Sequence, residues 1–437
     1  MHIPHRQTCR VCGSPHLTEA IDLGEQYLQG SFVKEGHSMP TLQKFPTLLV
    51  RCNVTENEKA CGLLQLADSV PSDILYANYW YRSGTNATMR NHLAGIVKSA
   101  IGVLGSNPER VLDIGCNDGT LLGNYAGTVE RFGCDPSDIA RVIKPPITLV
   151  NTIFPSPQLT AAAGGKKFDI ITSIAMYYDL ESPTAFARAV RDFLAPEGIW
   201  ILEMSYLPLM LKQNSFDTIC HEHLEYYSLG VLEYIAREAN LHVFKAELND
   251  VNGGSLRLYL TQAGNTRYDT TEGENFLRHL RAHEVAIKLD TAEPYLAFQR
   301  RIEDVRKTLM AFLADVRRKG ERVHLYGAST KGNVLLQWYG IDSSIVDCAA
   351  DRNPEKHGAR TLGTDIPIIS EEESRAARPD YYLVLPWHFK AEFLERERAQ
   401  IAAGTKMIFP LPEVTVVDRS NIDTEIEKSC KADFIAI

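Results

Sequence analysis

Residues 111–122, VLDIGCNDGTLL, constrain the fold more than any other stretch of the chain. An apolar run passes into a turn that contains Gly115 and Gly119, and the turn passes into a second apolar run. This order is typical of a buried strand, a tight turn and the start of a helix in a nucleotide-binding α/β domain. The glycines allow a ligand to approach the backbone closely. Asp113 and Asp118 would repel a diphosphate there, so the turn favours a cationic ligand.

The next predicted strand supports a cofactor site at this turn. It ends in Asp135, about 20 residues further on, where an acidic side chain accepts hydrogen bonds from ribose hydroxyls. Without Asp135 the turn would be equally well explained as a tight connection with no ligand. With a sulfonium and an ammonium group, S-adenosylmethionine fits the acidic turn better than a dinucleotide does. The residues that we predict to bind this cofactor are Asp113, Gly115, Asn117, Gly119, Asp135 and Ser173.

Apolar strands alternate with helical stretches over most of the remaining chain, which predicts an α/β fold with parallel sheets. Strand, glycine turn and helix start recur at residues 322–333, which predicts a second doubly wound domain. We expect a small cysteine-containing domain at residues 1–70, a nucleotide-binding domain at 71–300 and a second Rossmann-like domain at 301–437.

The composition of the 437 residues is that of a globular protein, with 44% hydrophobic and 23% charged residues. The net charge of −9 argues against binding to nucleic acid or to a membrane surface, since both need a basic face. The sequence has no apolar run long enough to span a bilayer and no signal-peptide core at its start. We expect a cytoplasmic protein, and the sequence leaves its oligomeric state open.

Cysteines near the start of the chain predict a metal site. The nine cysteines of a cytoplasmic protein are reduced, so clusters among them favour metal over disulfides. Two pairs can supply four thiolates to a structural zinc ion, although the second pair is more widely spaced than is usual. Four unrelated thiols and redox chemistry are the alternatives. The predicted zinc ligands are Cys9, Cys12, Cys52 and Cys61.

Two groups of tyrosines are candidates for the active site. Tyr79 and Tyr81 belong to an aromatic segment at residues 76–83, which would either pack between domains or cover a site. Tyr178 follows the predicted strand at residues 168–173, at the sheet edge where ligands bind in open α/β folds. The alternative is that one tyrosine of the pair at 177 and 178 packs in the core.

The densest polar cluster is DTICHEHLEYY at residues 217–227. On a helix, His221 and Glu225 would share one face. The two histidines are two residues apart rather than four, so the cluster does not match the HExxH zinc motif. A histidine titrates near neutral pH and can act as a general base, with a carboxylate or tyrosine fixing its tautomer. The alternative is a buried polar network that joins two elements.

Two further segments carry candidate substrate ligands. NGGSLR at residues 252–257 is either a hairpin turn with a solvated arginine or a loop that faces the substrate. GASTKGN at 327–333 offers backbone donors, hydroxyls and a lysine at a helix start, which suits a diphosphate; a tight turn with a solvated lysine is the alternative. The predicted substrate-binding residues are His221, Asn252, Arg257, Ser329, Thr330, Lys331, Asn333, Arg352, Trp387 and His388.

Taken together, these segments resemble the sugar C-methyltransferases, which use S-adenosylmethionine to methylate carbon in nucleotide-linked keto-deoxysugars. The resemblance covers nearly the whole chain and is carried by the four cysteines, LDIGCNDG, the HEH run, NGGS and YGASTKGN. It implies a structural zinc domain, then the methyltransferase domain, then a further Rossmann-like domain. It also implies that the substrate, of dTDP or GDP type, lies between the last two domains.

The resemblance implies a mechanism as well. His223, with Glu222 beside it, would remove the hydrogen on carbon 3 next to the 4-keto group, and the resulting carbanion would attack the sulfonium methyl. Tyr79 or Tyr81, and Tyr177 or Tyr178, would stabilise the oxyanion. Cys220 replaces a tyrosine of some relatives, and a histidine that some relatives carry near the position of Asp179 is absent, so the oxyanion donor and the methylated carbon stay open.

Two other functions remain open at this point. The same fold supports methylation of oxygen or nitrogen on a small metabolite. The chain could also be a zinc-containing binding protein with a degenerate cofactor site. The intact Asp113, Gly115 and Asp135 argue against this second alternative.

Overall fold

The computed structural model describes residues 3–37, 41–57, 59–75, 82–85 and 87–431. The N-terminal region contains a short antiparallel sheet in which β1, β3 and β4 are neighbours. Its elements are β1 (Leu17–Gln26), β2 (Phe32–Val33), β3 (Phe45–Cys52), β4 (Leu64–Leu66) and α1 (Ser72–Leu75).

The middle region is built around a seven-stranded sheet with helices on its faces. Its elements are α2 (Ala87–Leu104), β5 (Arg110–Ile114), β6 (Glu130–Cys134), β7 (Thr148–Val150), α3 (Pro157–Ala163), β8 (Phe168–Ile174), α4 (Pro183–Phe193), β9 (Leu194–Ser205), α5 (Leu207–Lys212), β10 (Glu225–Tyr226), α6 (Leu229–Glu238), β11 (Leu241–Asn249), β12 (Ser255–Gln262) and α7 (Thr271–Ala286). The strand order is β11-β12-β9-β8-β5-β6-β7. Strands β5 to β9 of this sheet are parallel, and β12 and β11 are antiparallel additions at one edge.

The C-terminal region follows a long helix and forms a six-stranded sheet. Its elements are α8 (Glu293–Arg318), β13 (Val323–Tyr326), α9 (Thr330–Tyr339), β14 (Cys348–Asp351), β15 (Arg360–Thr361), β16 (Ile368–Ser370), α10 (Glu371–Ala377), β17 (Tyr381–Val384), α11 (Lys390–Arg396), α12 (Arg398–Ala402), β18 (Lys406–Phe409), β19 (Thr415–Val417) and α13 (Ile422–Lys431). The order is β16-β14-β13-β17-β18-β19, parallel except for β19.

Burial accounts for these strands. The residues of β5, β13 and β17 are buried along their whole length, as expected for parallel strands covered on both faces. Helix α9 begins where the Ser329 hydroxyl accepts a hydrogen bond from the Gly332 amide, and it ends at Gly340 in the left-handed conformation. Glycine turns therefore follow buried strands in both large sheets.

Short strands connect the three regions. Strand β10, from the middle region, pairs with β4 and completes the N-terminal sheet. Strand β2 pairs with β15 of the C-terminal region. The N-terminal region is thus hydrogen-bonded to both others through backbone groups.

The predicted α/β class, with Rossmann-like sheets, is confirmed. The cluster at residues 217–227 does not form a helix: a 3₁₀ turn at Phe216–Thr218 leads into a loop and then into β10. Glu225 and Tyr226 of this segment pair with β4, and other backbone amides of the loop are bonded in turns or to Tyr178. The boundary that the sequence predicts between residues 300 and 301 falls inside α8.

No helix among the described residues is both long and apolar enough to cross a membrane.

Candidate active site and zinc centre

The four N-terminal cysteines converge on one point. Their sulfur atoms all lie within 4.8 Å of one another, with Cys9 and Cys61 at 3.5 Å and Cys12 and Cys52 at 3.5 Å. Four thiolates around tetrahedral zinc, each about 2.3 Å from the metal, would lie about 3.8 Å apart. The cluster therefore fits zinc, and the wide spacing of the second pair does not prevent closure.

The first glycine turn, after β5, has the geometry of a ligand cradle. The Gly115 amide donates to the Cys134 carbonyl at 2.8 Å. Gly115 has φ of +74°, and a Cβ there would lie 2.9 Å from the Cγ of Met176. Both the backbone conformation and the close approach thus require glycine.

Two aspartates flank this turn in different ways. Asp113 is buried and accepts a hydrogen bond from the Thr172 hydroxyl at 2.6 Å; burial raises its pKa to about 7. Asp135 accepts from the Asn117 amide at 2.8 Å and from the amide and hydroxyl of Ser137. Asp135 therefore shapes the turn itself, in addition to any contact with ribose.

Residues 82–85 close against the same turn. The Ser83 amide donates to Asn117 Oδ1 at 3.0 Å, and the Gly84 amide donates to Asp118 Oδ2 at 2.8 Å. The chain that follows the aromatic segment therefore borders the cofactor turn. The candidate oxyanion donors Tyr79 and Tyr81 lie outside the described residues.

Ser173 does not fit its predicted cofactor-binding role. It is fully buried in β8, and its hydroxyl accepts a hydrogen bond from the Trp200 indole at 3.2 Å. Alternate residues of a strand point to opposite faces of the sheet, and the Ser173 side chain lies on the face where it contacts Trp200.

His223 has the geometry of a base. Its Nδ1 lies 2.8 Å from the Thr218 carbonyl oxygen, which can only accept, so Nδ1 carries the proton and Nε2 carries the lone pair. Burial, and then the positive charge of Lys331, lower its pKa to about 3, so the ring is neutral at pH 7. The Tyr178 ring lies against it, with ring centroids 4.2 Å apart.

Tyr178 and His223 also line one small cavity, together with Ser205, Tyr206, Leu207, Met210, Thr218, Glu225 and Tyr226. Tyr177 instead packs in the core, and its hydroxyl donates to the Pro183 carbonyl at 2.8 Å. The alternative of a core tyrosine therefore holds for Tyr177. Tyr178 borders the candidate base.

His221 does not fit its predicted substrate-binding role. Its Nδ1 donates to Gln29 Oε1 at 2.7 Å, its Nε2 lies 3.2 Å from the Phe45 carbonyl, and burial lowers its pKa to about 4. Both ring nitrogens thus face oxygen atoms of the N-terminal region; the neutral ring carries one proton, which we place on Nδ1 because its acceptor is nearer. The two histidines of the HEH run face in different directions because they lie on a loop.

Glu222 lies against Gly30 of the N-terminal region, where a Cβ would come within 2.2 Å of Glu222 Oε1. Its other oxygen, Oε2, has no hydrogen-bond partner among the described residues, and burial raises the pKa of this carboxyl. A buried, unpartnered carboxyl oxygen beside the candidate base is suited to accept a hydrogen bond from a ligand.

Lys331, in the first turn of α9, faces the same space. Its ammonium donates to the Asn252 carbonyl at 2.8 Å, and burial lowers its pKa while the Asp217 carboxylate raises it. Lys331 therefore links the second glycine turn, which contains Gly327 between β13 and α9, to the NGGS turn between β11 and β12. NGGS is a hairpin turn, but Arg257 after it is buried and paired with Glu203 rather than solvated. A substrate-facing role of this loop stays a prediction.

Trp387 and His388 complete this side of the site. The Trp387 indole donates to Asp217 Oδ2 at 2.9 Å, and a Cβ on Gly253 would lie 3.3 Å from the same indole. Asp217 Oδ1 and His388 Nδ1 are buried, and no partner for either atom is found in the described parts of the chain. Burial and Lys331 lower the pKa of His388.

Several predicted substrate ligands are engaged elsewhere. Arg257 donates to Glu203 at 2.7 Å and to Glu247 at 3.1 Å, which holds it in the sheet. Ser329 caps α9, and Asn333 is buried and donates to the Gln29 carbonyl at 2.7 Å. These three side chains do not fit a direct substrate role. Arg352 is exposed after β14, and Thr330 lies near Gly30.

The structure therefore groups His223, Glu222, Tyr178, Lys331, Asn252, Trp387 and His388 in one region. It also adds residues that sequence reasoning did not select. Asp217 stood inside the polar cluster, and its position before the HEH run was the available signal. Gln29 and Gly30 carried no signal, because their contacts with residues about 190 positions away exist only in the folded chain.

Comparison with known proteins assigns three successive segments of the chain to family models. Three family models match successive segments: "Putative zinc binding domain" at residues 9–76, "Methyltransferase domain" at 86–246 and "C-methyltransferase C-terminal domain" at 250–412. The chain is 28% identical over 421 residues to C-methyltransferase NovU of Streptomyces niveus, covering 94% of this chain and 96% of that protein.

Two solved methyltransferase structures each match less than half of the chain. A S-adenosylmethionine-dependent methyltransferase from Clostridium acetobutylicum is 12% identical, with a TM-score of 0.33, over 44% of this chain and 96% of that one. N-methyltransferase NodS from Bradyrhizobium japonicum, in complex with S-adenosyl-L-homocysteine, is 14% identical, with a TM-score of 0.32, over 41% and 89%. The three family models and the relative that matches nearly the whole chain support an S-adenosylmethionine-dependent C-methyltransferase with an N-terminal zinc-binding domain.

Proposed function

We propose that the protein methylates carbon 3 of a nucleotide-linked 4-keto-6-deoxyhexose, with His223 as the base. The observation that carries the proposal is the hydrogen bond between His223 Nδ1 and the Thr218 carbonyl. It leaves the Nε2 lone pair as the proton acceptor in a buried site. Carbon next to a ketone is acidic enough for such a base when the charge that develops on oxygen is stabilised.

Two described groups beside His223 can stabilise that charge. Lys331 is close enough to lower the pKa of His223, so its positive charge acts at the same end of the site as the base. Tyr178 lies against the imidazole ring. Negative charge that develops on a substrate oxygen offsets the effect of Lys331 on His223. The pKa of His223 therefore rises, and the histidine becomes a stronger base as the reaction proceeds.

The residues around the first turn fit S-adenosylmethionine. Asp113 supplies negative charge, Gly115 and Gly119 allow close approach, and Asn117 and Asp135 hold the turn. When bound, S-adenosylmethionine supplies an electrophilic methyl group. The protein contributes orientation of the acceptor carbon towards it and removal of the proton.

The second glycine turn suits the nucleotide part of the substrate. The start of α9 presents backbone amides, and Lys331 adds a positive charge. The unpartnered buried atoms of Glu222, Asp217 and His388 suit the hydroxyl groups of a sugar. These features support a nucleotide-linked sugar, of dTDP or GDP type, as the substrate.

The test offers the purified protein S-adenosylmethionine with a dTDP-linked and a GDP-linked 4-keto-6-deoxyhexose. We expect a mass increase of one methyl group with one of them, and NMR of the product should place the methyl on carbon 3. A methyl group on oxygen or nitrogen would instead establish the alternative chemistry of the same fold. A methyl on a different carbon would refute the proposed position.

A further inference from the structure

One residue of the N-terminal region contacts both loops of the candidate site. Gln29 is fully buried. Its backbone carbonyl accepts a hydrogen bond from the Asn333 side chain at 2.7 Å, on the helix that follows the second glycine turn. Its side-chain oxygen accepts from the Nδ1 of His221 at 2.7 Å and from the His221 amide at 3.2 Å. The N-terminal region, which carries the four zinc-type cysteines and is called the zinc-bearing region below, thus holds the loop of His221, Glu222 and His223 at a defined point. This loop is called the HEH loop.

The orientation of the Gln29 amide is itself fixed. Its Nε2 donates to the Oε1 of Gln26 at 2.9 Å, so Oε1 faces His221. The other ring nitrogen of His221 lies 3.2 Å from the Phe45 carbonyl, and the Phe45 ring packs edge-on against the imidazole. His221 is therefore clamped between two segments of the N-terminal region.

The next residue, Gly30, contacts the same loop. A Cβ on Gly30 would lie 2.2 Å from Glu222 Oε1, and the φ of Gly30 is not positive. Space rather than backbone conformation therefore requires glycine here. Residues 29 and 30 contact the two residues that directly precede His223.

We propose that Gln29 is a positioning residue for the methyl transfer: through His221 it holds the HEH loop so that the Nε2 of His223 faces the substrate. This inference rests on the proposed function, with His223 as the base. Gln29 itself contacts neither His223 nor a reacting atom. Small displacements of a base cost rate, because proton transfer needs the donor and acceptor within hydrogen-bond reach.

The chain offers a matched control. Gln337, on α9, accepts a hydrogen bond from the Tyr27 amide at 2.8 Å and donates to the Tyr27 carbonyl at 3.3 Å. It joins the same N-terminal region to the same helix as Gln29 does. None of its hydrogen bonds in the described structure reaches the HEH loop. Gln29→Leu and Gln337→Leu therefore separate loop positioning from general docking of the regions.

The experiment compares both variants in the full, zinc-loaded protein. We expect Gln29→Leu to lower kcat roughly 10- to 100-fold, the loss expected from a small misplacement of a reacting group. Its KM for the nucleotide-linked sugar and its affinity for S-adenosylhomocysteine should stay within about twofold of the wild type. Gln337→Leu should keep wild-type kcat, and both variants should keep their zinc.

A pH profile adds a readout that a merely structural role would not move. Burial and Lys331 hold the pKa of His223 at about 3. Tyr178 packs against the ring, and the titratable groups of Tyr206, Glu225 and Tyr226 line the same cavity. Wild-type kcat/KM should therefore show no histidine limb above pH 5. A loosened loop admits water, which raises that pKa. Gln29→Leu should therefore gain an acid limb closer to the ordinary histidine pKa, and Gln337→Leu should not.

Equal losses of kcat in the two variants, or a wild-type kcat in Gln29→Leu, would overturn the inference. If Gln29→Leu folds poorly, Gly30→Ala tests the same loop from the Glu222 side and should lower kcat to the same extent. Its KM should rise as well, because the displaced Glu222 is itself proposed to contact the sugar. The proposed function fails separately. Retained proton exchange in His223→Ala would refute the base, whereas wild-type kcat in Gln29→Leu beside an inactive His223→Ala would refute only the positioning role.

Discussion

The two glycine turns share one scaffold and differ in charge. Gly115 donates its amide to the carbonyl of Cys134 at 2.8 Å, and Gly327 donates to the carbonyl of Ala350 at 2.8 Å. In both turns an aspartate at the end of the neighbouring strand accepts a backbone amide at 2.8 Å: Asp135 in the first, and Asp351 in the second. Asp135, which the sequence analysis assigned to ribose, is thus part of the first turn itself. Asp351 has the same structural part in the second turn.

The difference lies in what surrounds each turn. Two residues before the glycine the first turn has Asp113, and the second has the apolar Leu325. Lys331 follows the second glycine, and no lysine or arginine occupies residues 111–122 of the first. The comparison teaches that the scaffold gives a ligand cradle, whereas side-chain charge distinguishes the two turns: it favours a cationic cofactor at the first and, under the proposed function, an anionic nucleotide at the second.

The anchors of the two turns differ as well, and removing zinc tests this difference most severely. The second turn is held by Gln29 of the zinc-bearing region, and the first is held by residues 82–85. We expect about one zinc per wild-type chain, and Cys9→Ser should lose zinc and nearly all turnover. Binding of S-adenosylhomocysteine, measured by calorimetry, should persist. Its loss in parallel with turnover would show that both turns depend on the zinc region.

Replacing Lys331 sharpens the contrast in charge. Lys331→Met removes the cation of the second turn, at a cost of about 2 kcal/mol for a charged hydrogen bond, so kcat/KM should fall roughly 10- to 100-fold. Affinity for S-adenosylhomocysteine should stay within about twofold. A lower kcat would locate the effect at the developing oxyanion, and a higher KM would locate it at the bound nucleotide. An equal loss of cofactor affinity would contradict the division of roles.

The paired aspartates test whether the scaffold is truly shared. Asp135→Ala and Asp351→Ala each leave a turn amide without its acceptor, so each should lower the free energy of unfolding by about 1 to 3 kcal/mol. Thermal unfolding of both variants measures this. Cofactor affinity should fall in Asp135→Ala only. Strongly unequal losses of stability would show that the two acids play different structural parts.

The smallest effect concerns a proton on Asp113, which has no counterpart in the second turn. Its pKa is about 7 in the free protein, and a nearby cation favours the ionised form and lowers that pKa. The cofactor complex then binds fewer protons, so affinity should rise as pH increases towards 7 and level off above it. Calorimetry with S-adenosylmethionine in two buffers should detect release of up to about half a proton at pH 7. Asp113→Asn should release none, and an equal release would assign the proton to another group.

The sequence predicted the scaffold well because its signals are local. A buried strand followed by glycine at positive φ is recognisable from a few adjacent residues, and both turns were predicted in this way. The four cysteines could be predicted because thiolates in a reducing compartment converge on metal. The resemblance to a family supplied His223, and His223 carries the hydrogen bond expected of a base.

The roles of individual polar side chains were harder to predict, because burial and partners decide them. Ser173, Arg257 and Asn333 have suitable chemistry at suitable places in the sequence, but each is engaged by a distant residue. A helix was considered for the HEH loop because only neighbouring residues are visible in the sequence. The pairing of β10 with β4, which joins residues about 160 positions apart, cannot be seen there. Gln29 was not selected for the same reason.

Exchange of hydrogen at the carbon next to the ketone tests the central claim, that His223 is the base. The wild-type protein, the nucleotide-linked keto-sugar and deuterated water are combined without S-adenosylmethionine, and deuterium in the sugar is followed by NMR. We predict exchange in the wild type and a loss of 100-fold or more, on the order expected for a general base, in His223→Ala with unchanged S-adenosylhomocysteine affinity. Exchange at the wild-type rate in His223→Ala would contradict the account.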